Sequence, residues 1–128
     1  MSYTIKKKEL TPLDFTVCLF AKMVANEIYK VKDSELLPKL YQFREDHPEY
    51  FEIFYNIDLK QDWGGYFSSE KLGEGITQCL GFGIIHTYMP FNGYFYIDID
   101  KEYAKELLTS IQNKEVNKMF DELILEFK

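Results

Sequence analysis

Residues 11–29 are apolar at most positions around a helix: Phe15, Val17, Cys18, Leu19, Ala21, Met23, Val24, Ala25 and Ile28, broken only by Lys22, Asn26 and Glu27 near the end. A stripe this wide predicts a central helix covered on most sides. Thr11-Pro12-Leu13-Asp14 supplies its start, with Thr as N-cap, Pro at the first helical position and Asp in the first turn. A second helix starts at Asp33 or Ser34 and carries Leu36, Leu37, Leu40, Tyr41 and Phe43, with Pro38 confined to its first turn. Asp46-His47-Pro48 ends it, because the residue before a proline is pushed out of the α region. Over residues 51–60 the period changes to two. Phe51, Ile53, Tyr55, Ile57 and Leu59 alternate with Glu52, Asn56, Asp58 and Lys60, which predicts a strand. A helical template catches Tyr50, Phe54 and Ile57 but fits less well. Residues 61–67 read as a loop, and Ser68 or Ser69 caps a helix holding Leu72, Ile76, Cys79 and Leu80. Gly81 or Gly83 closes that helix in a left-handed conformation.

Residues 84–100 then read as a β-hairpin turning at Asn92-Gly93, a pair that tolerates the positive φ of a two-residue turn. Such a turn places Phe91 opposite Tyr94, Met89 opposite Tyr96, Tyr88 opposite Ile97 and His86 opposite Ile99. Ile84, His86, Tyr88, Pro90, Phe95, Ile97 and Ile99 then share the face expected to meet the core. Ile85, Thr87, Met89, Phe91, Tyr94, Tyr96, Asp98 and Asp100 share the other. Asp100 caps a further helix with Tyr103, Ala104, Leu107, Leu108 and Ile111. Asn113 separates it from a last amphipathic helix with Val116, Met119, Phe120, Leu123, Ile124 and Phe127. No repeat, low-complexity run or linker divides the chain, so one domain is expected.

The 128 residues are 46% hydrophobic, with ten Tyr, eleven Phe and one Trp, enough for a core without disulfides or metal. Cys18 and Cys79 fall on apolar helix faces and read as reduced core thiols. Lys6-Lys7-Lys8 is followed by no apolar signal segment, and residues 15–28 are too short and too polar to span a bilayer. A cytoplasmic protein without membrane contact is therefore expected. A Lys-, Ile- and Tyr-rich chain with Arg44 as its sole Arg hints at an AT-rich prokaryotic or phage genome.

The stretch from Ser68 to Phe82, followed by Gly83-Ile84-Ile85 and the Asn92-Gly93 hairpin, resembles the recognition helix and wing of prokaryotic winged helix-turn-helix proteins. The likeness covers residues 50–100, with 51–59 joining the wing as a third strand. It implies an α+β, mainly helical, winged-helix-like fold of about five helices and a small two- or three-stranded antiparallel sheet. It also implies a DNA-binding regulator placing residues 70–82 in the major groove, with Lys71, Thr77 and Gln78 at the nucleic acid.

Charge disfavours that use. The net charge is −6, and residues 62–100 hold Lys71 alone against Asp62, Glu70, Glu74, Asp98 and Asp100. Carboxylates beside phosphates repel by on the order of 1 kcal/mol per close pair even in water, and no Arg is placed to read guanine. Lys6, Lys7 and Lys8 read either as a phosphate-binding arm or as a solvated tail.

Candidate chemistry is sparse. His47 precedes a proline and reads as a surface cap, while His86 reads as a core histidine on the inner hairpin face. There is no Cys-x-x-Cys or His-Glu-x-x-His, and Asp98-x-Asp100-x-Glu102 lacks the glycine and distal Glu of a calcium loop. Gly73-Glu74-Gly75 and Gly81-Phe82-Gly83 follow no strand at the offset a phosphate loop needs; Gly73 and Gly75 instead suit close helix packing. Trp63-Gly64-Gly65-Tyr66 either lines a pocket or plugs the edge of the core. No catalytic, cofactor or metal residue is expected, and the chain reads as no enzyme. The expectation is a protein-interaction or adaptor module, in the manner of a phage or mobile-element accessory protein, binding a protein partner or a second copy. Its candidate contact residues are Met89, Phe91, Tyr94 and Tyr96 near the hairpin tip and Met119, Phe120, Leu123 and Phe127 on the last helix. The competing reading buries both sets in the core.

Overall fold

Helix α1 (Pro12–Ala25) forms the centre, and ten consecutive residues of it, from Phe15 to Val24, are buried. The computed structural model describes residues 4–128. Thr11 caps the helix by accepting the Asp14 N–H at 3.1 Å. Its two buried polar side chains both have partners: the Thr16 hydroxyl lies 3.0 Å from both the Pro12 and Leu13 carbonyls. Lys22 pairs with Asp121 and reaches Asn117.

Chain order continues through β1 (Lys30–Lys32), α2 (Asp33–Asp46), β2 (Lys60–Gln61), β3 (Phe67–Ser68), α3 (Glu70–Gly81), β4 (Ile85–His86), β5 (Tyr94–Ile97), α4 (Lys101–Thr109) and α5 (Lys114–Leu123). The result is α+β and mainly helical, with a small antiparallel three-stranded sheet in the order β1-β5-β4 and a two-stranded ribbon β2-β3. Ser69, Asp100 and Asn113 cap α3, α4 and α5 through side-chain oxygens, as their positions in the sequence predict. Helix α2 differs: Asp33 is its first residue, Lys32 stands at the cap without a side-chain bond, and the Asp33 N–H is taken by the Gly93 carbonyl at 2.9 Å.

α1 packs against α3, α4 and α5. The α1–α3 approach is close because residue 75 is glycine; a Cβ there would stand 2.6 Å from the Pro12 carbonyl oxygen and 2.8 Å from Thr16. Gly73 faces open space and has no such role. Phe15 meets Phe54 and Phe120 with ring centroids 5.2 and 5.4 Å apart.

Three expectations are corrected. Residues 51–59 are not a strand. After a 3-10 turn at Pro48–Tyr50 the chain coils through successive three-residue turns, Ile53 N–H to Tyr50 O at 3.0 Å and Ile57 N–H to Phe54 O at 2.9 Å among them. That period buries Tyr50, Ile53, Phe54 and Ile57 and turns Phe51 and Tyr55 to solvent. The alternation of period two is only apparent, because two of its aromatics, Phe51 and Tyr55, face solvent. The third strand is β1, from the segment between the first two helices.

The hairpin register also differs. Ile85 lies opposite Ile97 and His86 opposite Tyr96, three residues from the expected pairing. An odd shift reverses the faces of the first strand. The chosen register buries Ile85 beside Phe95 and Ile97 and keeps the imidazole of His86 outside. Residues 87–93 consequently form a long loop, with Gly93 at φ 90°.

Finally, the last helix is not a contact face. Met119, Phe120 and Leu123 are fully buried and Phe127 is half-buried, because α1 is apolar on so many sides that α5 must cover one of them.

Candidate interaction surface

Alternation along β1 and β5 sorts the sheet into two faces. Val31, Phe95, Ile97 and Ile85 point into the core, leaving Lys30, Lys32, Tyr94, Tyr96 and His86 on the outer side. The register aligns Lys30, Tyr96 and His86 in one row across the three strands, and Lys32 and Tyr94 in the next. His86 stacks on Tyr96 at 5.3 Å and 18°, and Tyr88 stands edge-on to both rings. Tyr94 follows, 6.2 Å from Tyr96. Above its ring lie the ammonium groups of Lys30 at 4.8 Å and Lys32 at 5.9 Å, within cation–π range.

The loop carries this surface outward. Met89 is 93% exposed and Phe91 50% exposed, with Phe91 leaning on Phe95 at 6.1 Å. Asn92 braces the loop from within: its Nδ2 donates to the Tyr96 hydroxyl at 2.8 Å and its Oδ1 accepts the Tyr94 N–H at 3.3 Å. At the base of the sheet, Glu27, Ile28, Tyr29, Lys30 and Tyr96 line a shallow cleft of about 440 Å³. Asp98 holds His86 through Nδ1 at 2.7 Å, and Lys101 holds Glu27 at 2.8 Å. The Lys101 hydrogen bond and charge keep the Glu27 carboxyl below its ordinary pKa. Both carboxylates are thus engaged, whereas Lys30 and Lys32 have no acidic partner within ion-pair distance among the described residues.

Of the four expected tip residues, Tyr94 and Tyr96 sit on the outer face of the sheet, while Met89 and Phe91 are carried by the loop, with Phe91 against the edge of the core at Phe95. Lys30, Lys32, His86 and Tyr88 are added by the tertiary structure. The Lys-Val-Lys alternation of β1 is a sequence signal for the two lysines, too short to read as a strand, whereas His86 and Tyr88 reach this face only through the shifted hairpin register.

The expected DNA-reading helix has a different character. Thr77 and Gln78 are exposed as expected, but Lys71 lies 3.8 Å from Glu74, and Glu70 shares the surface. The start of α3 is already occupied by Asp58, whose Oδ1 accepts the Lys71 N–H and the Ser69 hydroxyl, both at 2.9 Å. Burial opposes ionisation of Asp58, yet these hydrogen bonds outweigh it and leave its pKa below the usual carboxylate range. Lys8, in the basic N-terminal run, is paired with Glu115 and Glu52.

Trp63 neither lines a pocket nor plugs the core. It is wholly exposed on the β2–β3 turn, which Asp62 stiffens by accepting the Gly64 and Tyr66 N–H groups at 2.9 Å. His47 donates through Nδ1–H to the Phe43 carbonyl oxygen, 2.9 Å away, and stacks on the Phe43 ring. Among the described residues no group of three or more His, Cys, Asp or Glu could hold a metal ion, and no helix is long and apolar enough to cross a membrane. Comparison with family models, with curated proteins and with solved structures returns no match.

Proposed function

We propose that this chain is a non-catalytic protein-interaction module, an adaptor built on a winged-helix-like domain, whose partner docks on Tyr88, Met89, Phe91, Tyr94 and Tyr96. One observation carries the reading: the apolar face of α5 is buried, while an aromatic surface that includes Met89 stays exposed on a braced loop and sheet. Aromatic and Met side chains are the types enriched where proteins meet, and a cluster of them on a surface is a recurrent mark of a contact site. The winged-helix-like description draws support from the succession α1-β1-α2-α3-β4-β5, into which the β2-β3 ribbon is inserted between α2 and α3, and from the sheet order β1-β5-β4. The same succession favours a second reading, a DNA-binding regulator using residues 70–82 and the 84–100 hairpin. Glu70, Glu74 and the Asp58 carboxylate at the start of α3 weigh against it, since each would meet phosphate.

The test compares the chain with a Met89→Asp/Phe91→Asp variant in pull-downs from host lysate and in thermal unfolding. A partner retained by the parent and lost by the variant, at unchanged unfolding temperature, is the expected result. Nanomolar duplex binding that falls steeply with salt would replace this function by the regulator.

A further inference from the structure

Resting on the interface reading above, we infer that the docking segment is an extended acidic peptide bearing a bulky apolar side chain. Its carboxylates would lie on Lys30 and Lys32 and its apolar side chain on Tyr88, Met89 and Phe91. Charge complementarity identifies this occupant. The protein carries 21 carboxylates and a net charge of −6, yet the two lysines of β1 are left without an acidic partner among the described residues. The nearby Asp98 and Glu27 are spent on His86 and Lys101. Placement over Tyr94 restrains both ammonium groups, so less side-chain freedom remains to be lost on binding.

Spacing agrees. Residues two apart on a strand are separated by about 7 Å, which is also the repeat of alternate side chains in an extended peptide. Lys32 lies at the end of β1 beside the loop, since Asp33 N–H bonds the Gly93 carbonyl. The backbone just past Lys32 thus runs beside Gly93, at the end of the loop that carries the exposed Met89 and Phe91.

A single-stranded nucleic acid is the other polyanion to weigh, and the ring faces argue against it. Bases need open aromatic faces and a track of cations. Here the Tyr94 face is covered by lysine ammonium groups, Tyr96 is stacked by His86, and Tyr88 stands edge-on.

The experiment selects a display library of random dodecapeptides on the full chain. Enriched peptides are then measured by fluorescence anisotropy against the parent, Lys30→Glu/Lys32→Glu, Lys30→Gln/Lys32→Gln and Phe91→Asp, alongside labelled oligothymidylate. Circular dichroism melting checks that each variant is folded. Expected are acidic peptides with a large apolar residue, weakened about tenfold or more by the Glu pair, less by the Gln pair, and also by Phe91→Asp. Neutral or basic peptides that depend on Phe91 but ignore both lysine pairs would overturn the inference and leave the interface standing. Failure to enrich any peptide sensitive to Phe91→Asp would overturn both. Oligothymidylate binding tighter than the selected peptides would assign the face to single-stranded nucleic acid instead.

Discussion

Two glycines in one helix should respond in opposite ways to the same methyl group. At Gly75 the new Cβ would meet the Pro12 carbonyl oxygen at 2.6 Å and the Thr16 side chain at 2.8 Å. Comfortable contact begins near 3.4 Å, so α3 must withdraw from α1 by roughly 0.5–1 Å. Rotation offers no escape, because Leu72 and Cys79 on the same side of α3 are buried, and the Cys79 thiol donates to Thr16 at 3.5 Å. Overpacking of this kind costs about 1–3 kcal/mol. The better helix propensity of Ala returns about 1 kcal/mol. Gly75→Ala is therefore expected to destabilise by up to about 2 kcal/mol, lowering the unfolding midpoint by as much as roughly 8 °C. Gly73→Ala meets nothing and should stabilise by about 0.5–1 kcal/mol. Urea denaturation followed by far-UV circular dichroism, with equal m-values for all three proteins, measures both. Trp63 is too exposed to serve as the reporter. If Gly75→Ala proves as stabilising as Gly73→Ala, the α1–α3 approach is not close and the packing account fails.

Phe120→Ala should cost about 3–5 kcal/mol, because the ring is fully buried against Phe15; a small loss in urea denaturation would return this residue to the surface. Asp58 has a folded pKa below its unfolded one, so its contribution is present above the ordinary carboxylate pKa and is lost as pH falls through the folded value. The stability gap between the parent and Asp58→Asn should accordingly narrow in acid, and a gap independent of pH would deny Asp58 that role. Burial pushes the Cys18 thiol up to about 12 and also raises that of Cys79, so neither should react with iodoacetamide at neutral pH until urea unfolds the chain. Rapid alkylation of the native protein, read by mass spectrometry, would contradict the burial.

Most helix starts were legible because capping is local. Thr11, Ser69, Asp100 and Asn113 each accept N–H groups two or three residues ahead, a geometry that needs no distant partner. The exception, α2, begins where a strand ends, and its first N–H is claimed by Gly93, far along the chain. The candidate surface was half legible: Met89, Phe91, Tyr94 and Tyr96 stood out by type, while Lys30, Lys32 and His86 joined them only through strand pairing. The last helix shows the opposite failure, since an apolar stripe looks the same whether it will meet its own core or another protein.

Residue order alone settles what depends on neighbours within a turn or so: where helices begin, which segments are apolar enough to be buried, and the placement of acidic groups along α3. It also sets the proportions, a mainly helical α+β chain with a small sheet. Tertiary packing decided the rest, namely the hairpin register, the choice of Lys30–Lys32 as third strand and the coiled path of residues 51–59. In each case several local patterns were affordable, and the winner was the one that buried Ile85, Phe54 and Phe120 together while leaving His86 and the two lysines in water.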